Sequence, residues 1–151
     1  MKKLLTLTLA LFYIFTSLVA CNNTNTEKPN VTAYLESCTD TIVAIKVTAT
    51  TNETAALNLL KILQENGELT FESFDGGYGA YVTSINGKSE VVNGTEGYSW
   101  MLYTSDEKFS STEFGSITYN GVTYGQAAVG ASSLKVKAGE YYIWAYERWS
   151  Y

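Results

Sequence analysis

The stretch TTNETAALNLLKILQENG, residues 50–67, decides the fold because the chain changes there from a strand pattern to a helix pattern. Its leucines and isoleucine recur every three or four residues, which places one broad apolar stripe along a helix. Thr51 or Asn52 is positioned to cap the first turn, and Gly67 to end the helix in the left-handed conformation. The pattern predicts a helix over this stretch.

Strand patterns flank the predicted helix on both sides. Before it, residues 30–37 and 41–49 are rich in β-branched and aromatic side chains and predict a hairpin. After it come short β-prone runs at residues 69–74, 80–85, 98–104, 116–125 and 134–149. The pair Asn120-Gly121 predicts a type I′ turn, and the last run predicts two strands around a glycine. This order predicts an α+β fold in which one helix packs across a sheet.

Residues 1–20 have the organisation of an export signal. Lys2 and Lys3 precede an apolar run that ends in small residues. The ending LVAC, residues 18–21, resembles the lipobox of bacterial lipoproteins. That resemblance implies cleavage before Cys21, lipidation of its thiol, and anchoring on the extracellular side of the bacterial membrane. The alternatives are an ordinary signal peptide with an incidental cysteine, or an uncleaved anchor, for which the apolar run is a little short.

The predicted lipid anchor is joined to one globular domain by a polar tether. Residues 21–30 contain the cysteine and the segment NNTNTEKPN, which holds the only proline of the chain and predicts a spacer. Residues 31–151 are long enough to bury a single core. The net charge is −5, and it becomes −7 when the two signal lysines are removed. This acidity argues against nucleic acid and against electrostatic binding to anionic lipid.

The residue types that most catalytic and metal sites need are missing. The chain contains no histidine, which excludes a His triad, a His general base and a His metal ligand. If Cys21 is lipidated, Cys38 has no disulfide partner, and we expect it to be a partly buried residue in or beside a strand. The glycine-rich segment 74–79 lacks the Lys-Ser/Thr ending of a phosphate loop. The sequence therefore predicts no metal site and no enzyme, with a spatial pair of carboxylates as the alternative.

Aromatic residues make up 14% of the chain and concentrate after the predicted helix. A ring with one polar tip suits a surface on which a ligand stacks. The alternative is that tyrosine is a good strand residue that covers a half-buried face. Trp100 and Trp144 fit a core position better than a ligand contact. The candidate ligand-binding residues are Tyr78, Tyr81, Tyr98, Trp100, Tyr103 and Tyr124.

Several motifs in order resemble the transcobalamin-like C-terminal domain family, a type of bacterial domain of unknown function found on many Gram-positive surface proteins. They are an apolar helix at residues 55–63, Gly77-Tyr78-Gly79, the strand ending at residues 84–87, Tyr98-Ser99-Trp100 followed by Tyr103, Gly139-Glu140 and Ile143-Trp144. The resemblance covers residues 31–149. It implies a β-grasp-like mixed sheet with one packed helix, to which this chain adds further β-hairpins.

The same resemblance implies a ligand. In the animal cobalamin carriers this domain covers one side of the corrinoid, and a separate helical domain covers the other. The sequence predicts no counterpart of that helical domain here, and residues 105–133 are longer than the corresponding loop of the carriers. Cobalamin or another corrinoid is therefore the cofactor that the resemblance implies for this chain, held from one side.

Two classes of binding function follow from these patterns. The first is a lipid-anchored extracellular module without catalysis, which captures a corrinoid-like or other small ligand at the cell surface. The second is a structural or adhesive module that binds a protein or a glycan there. In both cases we expect the contacts to come from the aromatic strands and from the loops after Gly76 and Gly87.

Overall fold

A computed structural model describes residues 30–51 and 53–151. The predictions for the export signal, for Cys21 and for residues 22–29 of the tether lie outside the described residues, as does Asn52. The described part contains ten strands and one α-helix, which confirms the predicted α+β class with a strong predominance of β-structure. Within that part, no helix is long and apolar enough to cross a membrane.

The elements follow one another as a hairpin, the helix and then a series of strands. The hairpin consists of β1 (Asn30–Cys38) and β2 (Ile42–Thr51), and helix α1 covers Leu57–Glu65. The later strands are β3 (Phe71–Asp75), β4 (Ala80–Ile85), β5 (Lys88–Ser89), β6 (Val91–Asn93), β7 (Glu96–Thr104), β8 (Ser110–Tyr119), β9 (Val122–Ala127) and β10 (Tyr141–Ser150).

These strands form two sheets. The main sheet has the order β1-β2-β10-β7-β9-β8, with β6 paired to β7, and the small sheet has the order β3-β4-β5. Every strand pair among the described residues is antiparallel, rather than the mixed arrangement that the resemblance implied. The turn between β8 and β9 has φ of 49° at Asn120 and 77° at Gly121, which confirms the predicted type I′ hairpin.

The main sheet buries both of its faces. On the face that we call the helix face, Val43 and Ile45 of β2 and Trp144 of β10 belong to the same core cluster as the helix residues Leu59 and Leu60. On the opposite face, which we call the hairpin face, the β8–β9 hairpin folds across the sheet. There Ile117 of β8 and Tyr124 of β9 pack with alternate residues of the other strands, which are Ala44 of β2, Tyr103 of β7, and Ile143 and Ala145 of β10.

The helix begins later than the sequence predicts. Strand β2 continues to Thr51, and the first helical residue is Leu57. The N–H groups of Ala56 and Leu57 donate to the carbonyl groups of Leu134 (2.8 Å) and Ala131 (2.9 Å). The N-cap residue Ala56 has no side-chain acceptor with which to cap the helix, and distant backbone carbonyls satisfy these two donors instead. The predicted cap at residue 51 or 52 is therefore wrong.

The end of the helix agrees with the prediction. Gly67 has a φ of +75°, and its N–H donates to the carbonyl of Gln64 at 3.0 Å. The N–H of Glu68 reaches back to the carbonyl of Leu63 at 2.8 Å. These two bonds form a Schellman motif, which explains why a glycine ends this helix.

The last β-prone run forms one strand, β10, and not two. Leu134 and Val136 alternate as in a strand and are buried, but Lys135 makes only an isolated bridge to Ala55. This segment packs against the start of the helix instead of joining a sheet. Cys38 lies at the end of β1, in a strand as expected, but it is exposed and not partly buried.

Candidate functional site

An open pocket of about 430 Å³ lies where β4, the middle of β7 and the chain after β9 meet. We call it the β4–β7 pocket. Tyr81 and Val82 contribute from β4, Trp100 and Leu102 from β7, and residues 126–131 form the third side. None of its described lining residues carries a charge. The volume falls within the range of about 300–1,000 Å³ that is typical of small-ligand sites.

The wall of the pocket depends on a close backbone contact between Gly79 and Gly130. A Cβ placed on Gly130 would lie 2.7 Å from the carbonyl carbon of Gly79. The N–H of Gly130 donates to the carbonyl of Tyr78 at 3.1 Å, and that of Ala131 to the carbonyl of Ala80 at 2.9 Å. These bonds join the chain after β9 to the start of β4 and close one side of the pocket.

We expect Gly130→Ala to lower the free energy of unfolding by about 1–3 kcal/mol, since the new methyl group overlaps backbone that cannot rotate away. Urea denaturation of the full chain measures this change. Gly76→Ala is the control, because a Cβ there meets only the Phe74 ring at 3.8 Å. Equal stability of the two variants would show that the Gly79–Gly130 contact does not hold the wall.

Three of the predicted aromatic residues line the pocket. Tyr78 lies at its mouth with 91% of its surface exposed. Tyr81 is half-buried, and its hydroxyl donates to Glu90 at 3.0 Å. Trp100 is buried, and its indole N–H donates to the carbonyl of Lys88 at 2.7 Å. Trp100 and Trp144 both belong to the core, as expected, while also lining the pocket.

The other three predicted aromatic residues lie elsewhere. Tyr98 is exposed beyond the pocket on the helix face, where its ring stacks on Tyr146 with centroids 5.6 Å apart. Tyr103 and Tyr124 are buried on the hairpin face, and the Tyr103 hydroxyl donates to Glu147. The structure therefore does not bring the six residues together, and it separates Trp100 from Tyr103 by the thickness of the sheet.

The sequence did not identify several residues of the pocket. Leu102 follows Trp100 by two positions on β7, so strand alternation alone could have placed it beside Trp100. Gln126 and Val129 belong to residues 105–133, the segment that is longer than in the cobalamin carriers, and no local pattern links them to β4. Their position depends on the pairing of residues 130 and 131 with the start of β4.

Burial raises the pKa of Tyr81 to about 12, and the carboxylate of Glu90 acts in the same direction. Burial also raises the pKa of Tyr142 to about 12, with a further contribution from Asp106. In the unfolded chain both phenols ionise near pH 10. Folding therefore favours their protonated forms, so that this contribution to stability is present below pH 10 and is lost as the pH rises towards 12.

We accordingly expect the free energy of unfolding to fall between pH 10 and pH 12. Urea titrations of the full chain at a series of pH values across this window measure the slope. Tyr81→Phe removes one of the ionising groups and should reduce the slope. An unchanged slope in that variant would show that Tyr81 ionises alike in the folded and unfolded chains.

The pocket offers apolar surface and aromatic rings, which are groups that bind a ligand by burial and stacking. In the part of the chain that the structure describes, no three His, Cys, Asp or Glu side chains cluster as a metal site. The thiol of Cys38 accepts a hydrogen bond from the Asn86 amide at 3.2 Å, and neither residue lines the pocket. No protein-family model, curated protein or solved structure matches this chain.

Proposed function

We propose that this protein is a lipid-anchored, non-catalytic binding module that captures a small ligand on the extracellular side of the membrane. The observation that carries the proposal is the β4–β7 pocket, which combines a volume of about 430 Å³ with an uncharged lining that includes Tyr81 and Trp100. Pockets of this size and composition are typical of small-molecule sites. The proposed lipid anchor is inferred from the export signal and from the lipobox-like ending at residues 18–21.

A corrinoid is the specific ligand that the family resemblance implies. In support, α1 packs across a sheet as in a β-grasp-like domain, and Tyr78 and Gly79 of the Gly77-Tyr78-Gly79 motif line the pocket. A corrinoid is larger than the pocket, so only one part of it would enter, and the rest would lie against the mouth near Tyr78.

Titration of the full chain in detergent with cyanocobalamin tests this version, with calorimetry and the absorbance of the corrin as readouts. Ala128→Phe is the blocking variant, because Ala128 lines the pocket but is exposed, so that a larger side chain fills space without overpacking the core. Ala138→Phe is the matched control, since Ala138 is also exposed and lies in a turn outside the pocket.

Binding that Ala128→Phe abolishes and Ala138→Phe preserves would support corrinoid capture in this pocket. If cyanocobalamin gives neither heat nor a spectral shift, but a library of small neutral fragments perturbs Leu102 and Trp100 in NMR spectra, the ligand is another small molecule. If no fragment reaches these residues either, the binding-module proposal fails.

The second candidate function is adhesion through a protein or a glycan. Tyr98 favours it, because this ring is 44% exposed and stacks on Tyr146 with an interplanar angle of 13°. Sugar rings pack well on such flat aromatic surfaces. Binding to a glycan array that Tyr98→Ala removes, with Ala128→Phe having no effect, would favour this candidate over the pocket.

A further inference from the structure

Strand β7 has an interrupted edge beside the β4–β7 pocket. On one side β7 pairs with β10 along its whole length. On the other side its pairing with β6 ends at Tyr98, and its pairing with β9 begins at Tyr103. Among the described residues, no strand pairs with β7 on that side between these two positions. The ladder therefore has a gap of four residues, 99–102.

The backbone groups of Trp100 and Leu102 point into this gap. The N–H of Tyr146 donates to the carbonyl of Thr41, on the β2 side of β10, so Tyr146 turns its backbone groups away from β7. In an antiparallel pair, the backbone N–H and C=O groups of two opposed residues point either towards each other or away from each other. Trp100 is opposite Tyr146, so its backbone N–H and C=O groups point away from β10. The backbone groups of Leu102 point the same way, because their direction alternates from one residue to the next along the strand.

These backbone groups lie at the pocket and need partners. Trp100 and Leu102 both line the pocket, and Trp100 is only 2% exposed. A backbone N–H or C=O at a buried position is costly unless it is hydrogen-bonded.

The lining also restricts the charge of a ligand. No described lining residue is charged, so a buried ionic group would find no counter-ion there. A neutral group that both donates and accepts, by contrast, can pair with the N–H and the C=O of one residue at the strand edge. An amide has both functions on adjacent atoms, as a neighbouring strand does.

We propose that the part of the ligand that enters the β4–β7 pocket is compact and uncharged, with an apolar body and an amide-type edge that hydrogen-bonds to the backbone of Trp100 or Leu102. This inference rests on the proposed binding function and names the chemistry that the pocket recognises. The apolar body lies against Leu102 and the aromatic residues, and the amide edge completes the interrupted ladder of β7.

Three small probes of nearly the same shape test this inference. Benzamide carries the donor and the acceptor, acetophenone replaces the donor by a methyl group, and benzoate carries a charge. Each is titrated by NMR into the full chain in detergent, with the backbone amide signals of Trp100 and Leu102 followed. We expect benzamide to bind about tenfold more tightly than acetophenone, and benzoate to bind most weakly, because unpaired and charged groups are costly in such a site.

Ala128→Phe should remove the binding of all three probes, and Ala138→Phe should not. Equal affinity for benzamide and acetophenone, or tighter binding of benzoate, would overturn the amide-edge inference and leave the binding function standing. Absence of any response to the three probes, with other fragments still bound in the pocket, overturns the same inference. Absence of all binding at these residues removes the binding function as well.

Discussion

Replacing Leu60 by alanine is expected to lower the free energy of unfolding by about 2–5 kcal/mol. Leu60 is fully buried on α1 and belongs to the core that joins the helix to the helix face of the main sheet. Its truncation leaves a cavity that neighbours from two layers cannot fill by a small shift. Since domains of this size are stable by only about 5–15 kcal/mol, the loss is a large part of the total.

Urea denaturation followed by tryptophan fluorescence measures this effect, because Trp100 and Trp144 are both buried in the same core. Lys61→Ala is the matched control, since Lys61 is the next helical residue and is exposed, and lysine and alanine are both good helix formers. The control should change stability by less than about 0.5 kcal/mol. A similar loss in both variants would mean that the loss in Leu60→Ala does not come from the packing of Leu60 on the sheet.

The two ends of this helix show what local sequence can and cannot predict. The C-terminal end was predictable, because Gly67 and the bonds that surround it lie within five residues of one another. The N-terminal end was not, because the groups that satisfy Ala56 and Leu57 are carbonyls of residues 134 and 131. The same contact explains why residues 134–136 alternate like a strand without joining a sheet.

The candidate site was predictable in part for a similar reason. Strand alternation places Trp100 and Leu102 on one face and Tyr103 on the other, and this rule was available from the sequence of β7. The prediction that Trp100 and Tyr103 contact the same ligand did not follow this rule. The third side of the pocket, around Gln126 and Gly130, depends on where β9 leaves β7, and this is a property of the whole sheet.

A second large loss of stability is expected for Lys137→Met, at about 1–3 kcal/mol. The Lys137 ammonium lies 2.7 Å from Oδ2 of Asp106, a side chain that is only 4% exposed. This oxygen has no hydrogen-bond partner among the described residues, so its ion pair with Lys137 is its main compensation. Removing one member of a buried pair leaves an uncompensated charge. The lysine itself is half exposed, which allows water to offset part of the loss.

Lys135→Met is the matched control, because it removes the same charge two residues earlier in the chain. Lys135 lies 3.8 Å from Glu53, whose side chain is 87% exposed, and such surface pairs contribute less than about 1 kcal/mol. Urea denaturation of both variants at neutral pH and moderate salt gives the comparison. If Lys135→Met costs as much as Lys137→Met, net charge and not the Asp106 pair is responsible. If only Lys137→Met is destabilised, the pair stabilises the segment between β7 and β8, and Asp106→Asn with Lys137→Met should recover part of the loss, because the double variant buries no unpaired charge.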